Sequence, residues 1–260
     1  MIINLLGGGL GGGGGGEPEP TYDSVLANNT PAQIQAAARA GVASTLWSVG
    51  DITSVITFGN YSVGSLDLNG ISASAYIIGF DHNSTYEGTG IHFQFGKISG
   101  VDIAFYSASM NASGTNSGGW DNCALKSNLT NFYNALPAEW QAVIADCDKY
   151  TDNTGNSSTS AADVTKTTGK IWLLSEYEVF AATSYANNNE AAKQAQYQYY
   201  VNGNSPIKYR HNATTTATAW WLRSPDRSNG TNFVYSRSNG SSRSNSASTA
   251  YGFAPAFKVA

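Results

Sequence analysis

Hydrophobic and polar positions alternate in several stretches of the first half of the chain. The segments GISASAYIIGF (70–80) and IHFQFG (91–96) are rich in β-branched and aromatic residues, which predicts two strands. The stretch STLWSVGDITSVITF (44–58) alternates in part and predicts a further strand with a turn at Gly50 and Asp51. Later, KIWLLSEYEVFA (170–181) predicts a buried strand that leads into a helix or turn.

Helical spacing occurs in three other segments. The first predicted helix has Thr30 as its cap, Pro31 at its first position and Gly41 just past its end. Two more helices are predicted between residues 118 and 150, where apolar residues recur three or four positions apart. Their stripes are Leu125, Leu129 and Phe132 in one helix, and Trp140, Val143, Ile144 and Cys147 in the helix that Pro137 opens.

These elements predict one α+β domain over residues 42–260, preceded by a connecting helix over residues 21–41. The glycine run in residues 1–20 predicts a flexible tether, either a plain tail or a docking segment that orders on a larger particle. Residues 151–169 are polar and predict a loop. Pro255 predicts that the last strand is an edge or bulged strand.

A polar tract at residues 226–251 lies between two apolar segments, WWLRSP (220–225) and GFAPAF (252–257), which we call the frame. Trp220 and Trp221 are expected in the core, and SNG at 238–240 predicts a tight turn inside the tract. Tyr, Ser, Asn and Arg are the residues that binding loops favour, so the tract is either a solvated loop or a binding surface. The candidate binding residues are Asp226, Arg227, Ser228, Asn229, Thr231, Asn232, Tyr235, Arg237, Ser242, Arg243, Ser244, Asn245, Ser248 and Tyr251, with the tyrosines and arginines as anchors.

Composition narrows the class of protein. Only 12% of the 260 residues are charged and the net charge is −4, without a basic stripe, which argues against a nucleic-acid partner. No Lys or Arg precedes Arg39, and the first apolar run ends at Leu6, so we predict no signal peptide and no membrane insertion. A surface wetted by neutral polar groups suits a virion part or a cell-surface protein.

Few residues indicate site chemistry. Cys123 and Cys147 are expected to be free buried thiols, although a disulfide is the alternative. The histidines lack metal-ligand spacing, and the Asp81–His82 pair is expected to be structural, so we predict no metal and no cofactor. Arg223 lies in an apolar stretch and needs a carboxylate partner, for which the candidates are Glu176, Glu178 and Asp51.

Six motifs occur in order along most of the chain: WSVGD (47–51), YIIGFDH (76–82), GGW (118–120), LLSEYEVF (173–180), WWLRSP and GFAPAF. Together they resemble the C-type-lectin-like domains of phage and bacterial surface proteins, including the variable proteins that retroelements diversify. The resemblance covers roughly residues 44–260. It implies a C-type-lectin-like fold with small antiparallel sheets, two or three helices and long loops.

In the diversified relatives, a reverse transcriptase scrambles adenines in a repeat near the C-terminus. Scrambled codons of this kind do not give Lys, Glu, Gln, Met or Trp, and none of these five occurs in residues 226–251. The resemblance therefore implies that the tract is the variable region. It implies a non-enzymatic protein that recognises a host-cell surface protein or glycan from a phage tail, joined to other virion proteins through its N-terminus and in several copies or as a homo-oligomer.

Two other functions remain open. One is a bacterial surface adhesin or glycan-binding lectin-like protein. The other is an enzyme similar to the formylglycine-generating oxidases, which share the fold and need a copper-binding pair of cysteines near the active site. Cys123 and Cys147 fall on predicted helices away from the tract, which departs from that pattern.

Overall fold

The computed structural model describes Ile2–Ile3 and residues 21–260. Helices and strands both contribute to one core, which confirms the α+β class. The described residues form seven α-helices rather than two or three, because several loops contain a single helical turn that the sequence pattern does not reveal. The helices are α1 (Pro31–Arg39), α2 (Ala43–Leu46), α3 (Ser84–Glu87), α4 (Ala124–Asn134), α5 (Ala138–Gln141), α6 (Glu176–Phe180) and α7 (Gln198–Val201).

The strands are short except for three in the first half of the chain. Three 3₁₀ turns lie at Leu26–Asn28, Ala161–Asp163 and Asn188–Ala192. The strands are β1 (Ile2–Ile3), β2 (Tyr22–Asp23), β3 (Ile56–Thr57), β4 (Ser62–Val63), β5 (Leu66–Asp67), β6 (Ser72–Phe80), β7 (Ile91–Ile98), β8 (Val101–Ala108), β9 (Ile144–Ala145), β10 (Cys147–Asp152), β11 (Val164–Gly169), β12 (Ile171–Trp172), β13 (Lys208–Arg210), β14 (Ala213–Thr218), β15 (Trp220–Pro225), β16 (Asn232–Ser236), β17 (Ser242–Ser246), β18 (Tyr251–Phe253) and β19 (Ala256–Val259).

Thirteen strands join into one sheet, whose main path runs β12-β19-β7-β8-β18-β15-β16-β17. The sheet is mixed, because β13 pairs with β8 in parallel and β15 pairs with β18 in parallel. The expectation of small antiparallel sheets is therefore wrong for the main sheet, although β1–β2, β4–β5 and β10–β11 form separate two-stranded sheets. The tract lies at one end of the main path, in β16 and β17.

Aromatic rings fill the centre of the core. Phe132 of α4 contacts Phe58, Phe95, Phe105 and Phe253, with ring centroids 5.0–6.3 Å apart. Separations of this size suit the tilted and edge-to-face pairs that aromatic rings prefer. The last segment of the frame is thereby held by residues from the first half of the chain.

Helix α1 begins as the sequence predicts. The Thr30 side chain accepts a hydrogen bond from the Gln33 amide, and the Gln33 side chain bonds back to the Thr30 amide, which forms a capping box. Ile34 of α1 is buried, and the Gln35 side chain donates to the Ala260 carbonyl at 2.9 Å. Residues 21–41 thus pack against the same core as the C-terminus. The tether predicted for residues 1–20 lies, apart from Ile2–Ile3, outside the described residues.

Several local predictions need correction. The second predicted helix ends at Gln141, and Cys147 lies instead in β10. The predicted loop at 151–169 contains the end of β10 and all of β11, which pair as a hairpin. The stretch 44–58 holds the single-turn helix α2 and only the short strand β3. Pro255 precedes β19, which pairs with β7, β9 and β12 and is therefore an interior strand.

The part of the chain that the structure describes contains no helix long and apolar enough to cross a membrane.

Candidate functional site

The tract folds as a hairpin at the end of the main sheet. β16 pairs with β17 in antiparallel register from Asn232↔Ser246 to Ser236↔Ser242. Gly240 has φ +82° and its amide donates to the Arg237 carbonyl at 2.9 Å, which confirms the tight turn predicted at 238–240. β17 is the last strand of the path, so the tract supplies an open edge of the sheet.

The candidate binding residues divide by exposure. Strand β16 is buried from Phe233 to Ser236, whereas residues 237–239 of the turn are exposed and β17 is half-buried except for the exposed Arg243. Two of the candidate binding residues, Asp226 and Tyr235, are only 3% and 8% exposed, so their side chains do not lie on the open surface of the tract. Exposed candidates are Ser228, Asn229, Thr231, Arg237, Arg243 and Ser248; half-buried ones are Arg227, Asn232, Ser242, Ser244, Asn245 and Tyr251.

Three aromatic rings form a cluster at the hairpin. The ring of Tyr235 lies 4.7 Å from that of Tyr251, and both contact Trp221 at 5.9 and 4.9 Å between centroids. The Trp221 indole donates to the Ala108 carbonyl at 3.0 Å, which fixes the cluster to β8. Asn245 donates to the Tyr251 hydroxyl at 2.7 Å. The two tyrosines therefore stabilise the hairpin through contacts with Trp221 instead of projecting as free anchors.

The loop before β16 is held by Asn116. The Asn116 side chain is buried and donates to the carbonyls of Asn229 and Asn232 at 3.0 and 2.8 Å, while its oxygen accepts from the Asn156 amide. One amide therefore ties the loop of residues 226–231 to the loop after β10. Arg227 points inward and donates to the carbonyls of Thr183 and Ala186 and to the Asn188 side chain.

Arg223 of β15 lies fully buried three residues before the tract. Its guanidinium contacts both carboxylate oxygens of Glu178, at 2.5 and 3.0 Å, in the bidentate geometry that carboxylates and guanidinium groups favour. Its Nε donates to the Thr151 hydroxyl at 2.7 Å, and Nη1 also donates to the Leu173 carbonyl. Among the three candidate carboxylates, Glu178 is thus the partner. Asp51 instead accepts from the Ser48 amide.

Lys149 extends this buried ion pair into a network. Its ammonium contacts Glu87 at 2.5 Å, Glu178 at 3.1 Å and the Tyr197 hydroxyl at 2.8 Å. Burial alone would lower the pKa of Lys149, but the two carboxylates outweigh burial and raise it. Burial would likewise raise the pKa of Glu178, but Arg223 and Lys149 hold it well below its usual range. The charges are therefore mutually compensated.

Glu176 and Glu190 connect the network region to the tract. Glu176 accepts from the amides of Tyr185 and Ala186 and from the Ser242 hydroxyl of β17. Glu190 accepts from the Ser224 hydroxyl at 2.7 Å and from the Asp152 amide at 3.0 Å. Burial raises the pKa of Glu190 to about 7. The Glu176 carboxylate thus joins α6 to residues 185–186 and to the tract, and the Glu190 carboxylate joins the frame to β10.

The cysteines are buried free thiols, as the favoured alternative predicts. Burial raises the pKa of Cys123 to about 11 and that of Cys147 to about 12, so both thiols stay protonated near neutral pH. Asp81 and His82 have different partners: Asp81 accepts from the Gly90 amide at 2.8 Å, and the His82 ring stacks on Tyr197 at 3.7 Å.

Two groups of potential metal ligands surround Lys149. Glu87, His92 and Cys147 form one group and His82, Glu87 and Glu178 the other, each with donor atoms within 4.8 Å of one another. The Lys149 ammonium already bridges Glu87 and Glu178. Burial lowers the pKa of His82 to about 3 and that of His92 well below its usual range, so both rings are neutral. The Lys149 ammonium therefore supplies the positive charge that balances the Glu87 and Glu178 carboxylates.

Sequence reasoning missed Asn116, Lys149 and Glu87. In the structure Cys147, Lys149 and Thr151 are buried and alternate with more exposed residues, as a strand requires. The sequence CDKYT does not reveal this alternation, because two of the three buried positions hold the polar residues Lys149 and Thr151. Asn116 lies in a glycine-rich loop, TNSGG, where no sequence pattern indicates a buried amide.

These features define an α+β domain with an open edge hairpin on a buried ionic network. A family profile for a domain of unknown function (DUF6273) matches residues 98–260, which is more than half of the chain, so the chain belongs to this family. The matched region contains the tract, Arg223, Glu178 and Lys149, whereas Glu87 lies before it. Neither a curated protein nor a solved structure matches the chain.

The Arg223–Glu178 pair leads to a stability prediction. Glu178→Gln leaves a buried guanidinium without its counter-charge and is expected to lower the free energy of unfolding by about 3–5 kcal/mol. Glu139→Gln, the same change at an exposed position of α5, is expected to lower it by less than about 0.5 kcal/mol. Urea denaturation measures both values. Equal losses in the two variants would contradict a supporting role for the pair.

Glu190 leads to a pH prediction. An unfolded glutamate loses its proton near about pH 4.3, whereas folded Glu190 holds its proton to about pH 7. Between these values the folded state binds more protons, so the contribution of Glu190 to stability falls as pH rises.

The measurement is the difference in unfolding free energy between wild type and Glu190→Gln at several pH values. Taking the difference removes the opposite contribution of the neutral histidines. The wild type is expected to lose stability relative to the variant from about pH 4 to about pH 7 and to run parallel to it above that range. A difference that does not change with pH would refute the raised pKa.

Proposed function

We propose that this chain is a ligand-binding protein whose fixed frame presents a replaceable polar face. The observation that carries the proposal is the separation of roles within the tract. Its buried side chains stabilise the hairpin, while its exposed side chains make few contacts with the core. Binding residues are often placed in this way, on loops that a rigid scaffold positions.

The proposed biological role is host-receptor recognition at a phage tail or a similar surface structure. The support is the resemblance of the six motifs to C-type-lectin-like domains of surface proteins, and we propose that the fold is of that type. The N-terminal segment would join the domain to other virion proteins. Several copies on one particle would raise the avidity of contacts that are individually weak. A bacterial surface adhesin with the same binding face is the alternative within this class.

We further propose that the tract is diversified. Exposed positions on an edge strand tolerate substitution better than core positions, because surface changes usually alter stability by less than about 0.5 kcal/mol. The tract also lacks the five residue types that adenine scrambling does not produce. An oxidase of the formylglycine-generating type has less support, because Cys123 and Cys147 are buried, protonated and bonded to different groups.

Diversification predicts a feature of the flanking DNA. We expect a near-copy of the codons for residues 220–257, differing from the gene only at adenines, beside a gene for a reverse transcriptase. Sequencing the locus checks this expectation. Diversification would be contradicted if the locus held no copy, or if the copy differed from the gene equally at all four bases. The tract would then be a binding face of fixed sequence.

Binding through the tract predicts a steric effect. Ser238 and Ser248 are exposed, in the turn and after β17, so Ser238→Trp and Ser248→Trp cover the face without entering the core. Each is expected to lower binding of the fluorescently labelled chain to bacterial strains by at least about tenfold, since a bulky side chain prevents close approach. The melting temperature should change by less than about 2 °C.

Ser44→Trp is the control, because Ser44 is exposed in α2 beside Phe80 and Gly90 and away from the tract. The proposed function would be refuted if the wild type bound to no strain of the panel. It would also be refuted if all three variants bound as strongly as the wild type.

A further inference from the structure

Two exposed arginines of the tract lack partners in the described structure. The side chains of Arg237 and Arg243 form no hydrogen bond and no ion pair with any described residue. By contrast, Arg227 is bonded inward and Asp226 is buried. The exposed charge of the tract is therefore positive, although the whole chain has a net charge of −4.

Both arginines lie near the same tyrosine. Arg243 pairs directly with Tyr235 across the hairpin, so their side chains leave the same face of the sheet. Arg237 follows Tyr235 by two positions, and its amide donates to the Ser241 carbonyl at 2.8 Å, so the pairing of the hairpin extends to it and its side chain leaves the same face as that of Tyr235. The hairpin thus holds two cations close together on one open surface.

The rest of this face consists of hydroxyl and amide groups. The exposed large apolar residues of the described chain are Val25, Ile52, Val55 and Val201, and all four lie outside the tract. Tyr235 and Tyr251 pack on Trp221 and offer little exposed ring surface. Protein partners usually bind through aromatic or apolar anchors that lose their water at the centre of an interface. This face lacks such an anchor.

We propose that the tract of this chain binds an anionic polysaccharide. Carboxylate or sulfate groups of the polymer pair with Arg237 and Arg243, because guanidinium binds such oxyanions bidentately. Serine, asparagine and threonine side chains bond the sugar hydroxyls, and an extended polymer can lie across an open edge hairpin. The proposal rests on the proposed function and names the ligand class of the same face.

The test uses the full chain and four immobilised polymers: polygalacturonate with carboxylates, dextran sulfate with sulfates, neutral dextran, and poly-L-glutamate as a polyanion with a peptide backbone. We expect binding to polygalacturonate or dextran sulfate that falls as NaCl rises from about 50 to about 300 mM. We expect weaker binding to poly-L-glutamate and none to dextran. Absence of binding to both anionic polysaccharides overturns the proposal, and equal binding to poly-L-glutamate overturns it in favour of an acidic protein.

Matched variants assign the binding to the two arginines. The double variant Arg237→Ala and Arg243→Ala should lose at least about tenfold in affinity, and the corresponding double lysine variant should retain part of it. The double variant Arg39→Ala and Lys166→Ala also removes two positive charges, from exposed positions in α1 and β11, and should have no effect. An equal loss in this control would show that net charge alone drives binding and would overturn the assignment.

The outcomes separate this inference from the proposed function. If Ser238→Trp and Ser248→Trp reduce binding to cells while the arginine variants bind as the wild type does, the tract is a binding face for another class of ligand. If none of these variants affects cell binding, the proposed function itself is wrong.

Discussion

The bidentate contact between Arg223 and Glu178 constrains the rest of the structure. A buried guanidinium requires a counter-charge and hydrogen-bond partners, and here each of its three nitrogens has a partner among Glu178, the Thr151 hydroxyl and the Leu173 carbonyl. Those partners come from α6, β10 and the segment after β12. Because the arginine belongs to β15, the contact fixes the position of the strand on which the hairpin is built. Lys149 then compensates the second carboxylate, Glu87, so that the whole charged cluster stays buried.

Protection of the sheet edge and binding of a ligand would both favour polar residues in the hairpin. As the last strand on the main path of the sheet, β17 exposes backbone groups that could pair with another chain, and edge strands avoid this by being short and by carrying charge. Ser242–Ser246 has five residues, one of them Arg243 and none of them apolar. A polar tract is therefore compatible with solubility alone. What distinguishes a binding face is the pair of exposed guanidinium groups without partners, since a single charge would protect the edge.

Sequence patterns predicted the parts whose signal is local. The helix cap at Thr30, the strands at 70–80 and 91–96, and the turn at 238–240 each depend on neighbouring residues and were predicted correctly. The helix expected through Cys147 was wrong because three- and four-residue spacing of apolar side chains also occurs where a helical turn passes directly into a strand. Lys149 and Asn116 were missed because their burial depends on partners 29 to 116 residues away.

The position of the tyrosines changes the interpretation of the tract. A composition rich in Tyr, Ser and Asn suggests aromatic anchors that project from a binding loop. In the folded chain Tyr235 and Tyr251 instead pack against Trp221, edge-on and tilted respectively, so their rings contribute to the stability of the hairpin. Substitution at these two positions would expose Trp221 and weaken the frame, whereas substitution at Arg237 or Arg243 would change only the surface. Substitutions that preserve the fold are therefore expected at the turn, at the exposed side chain of β17 and at the exposed residues of the loop that Asn116 holds.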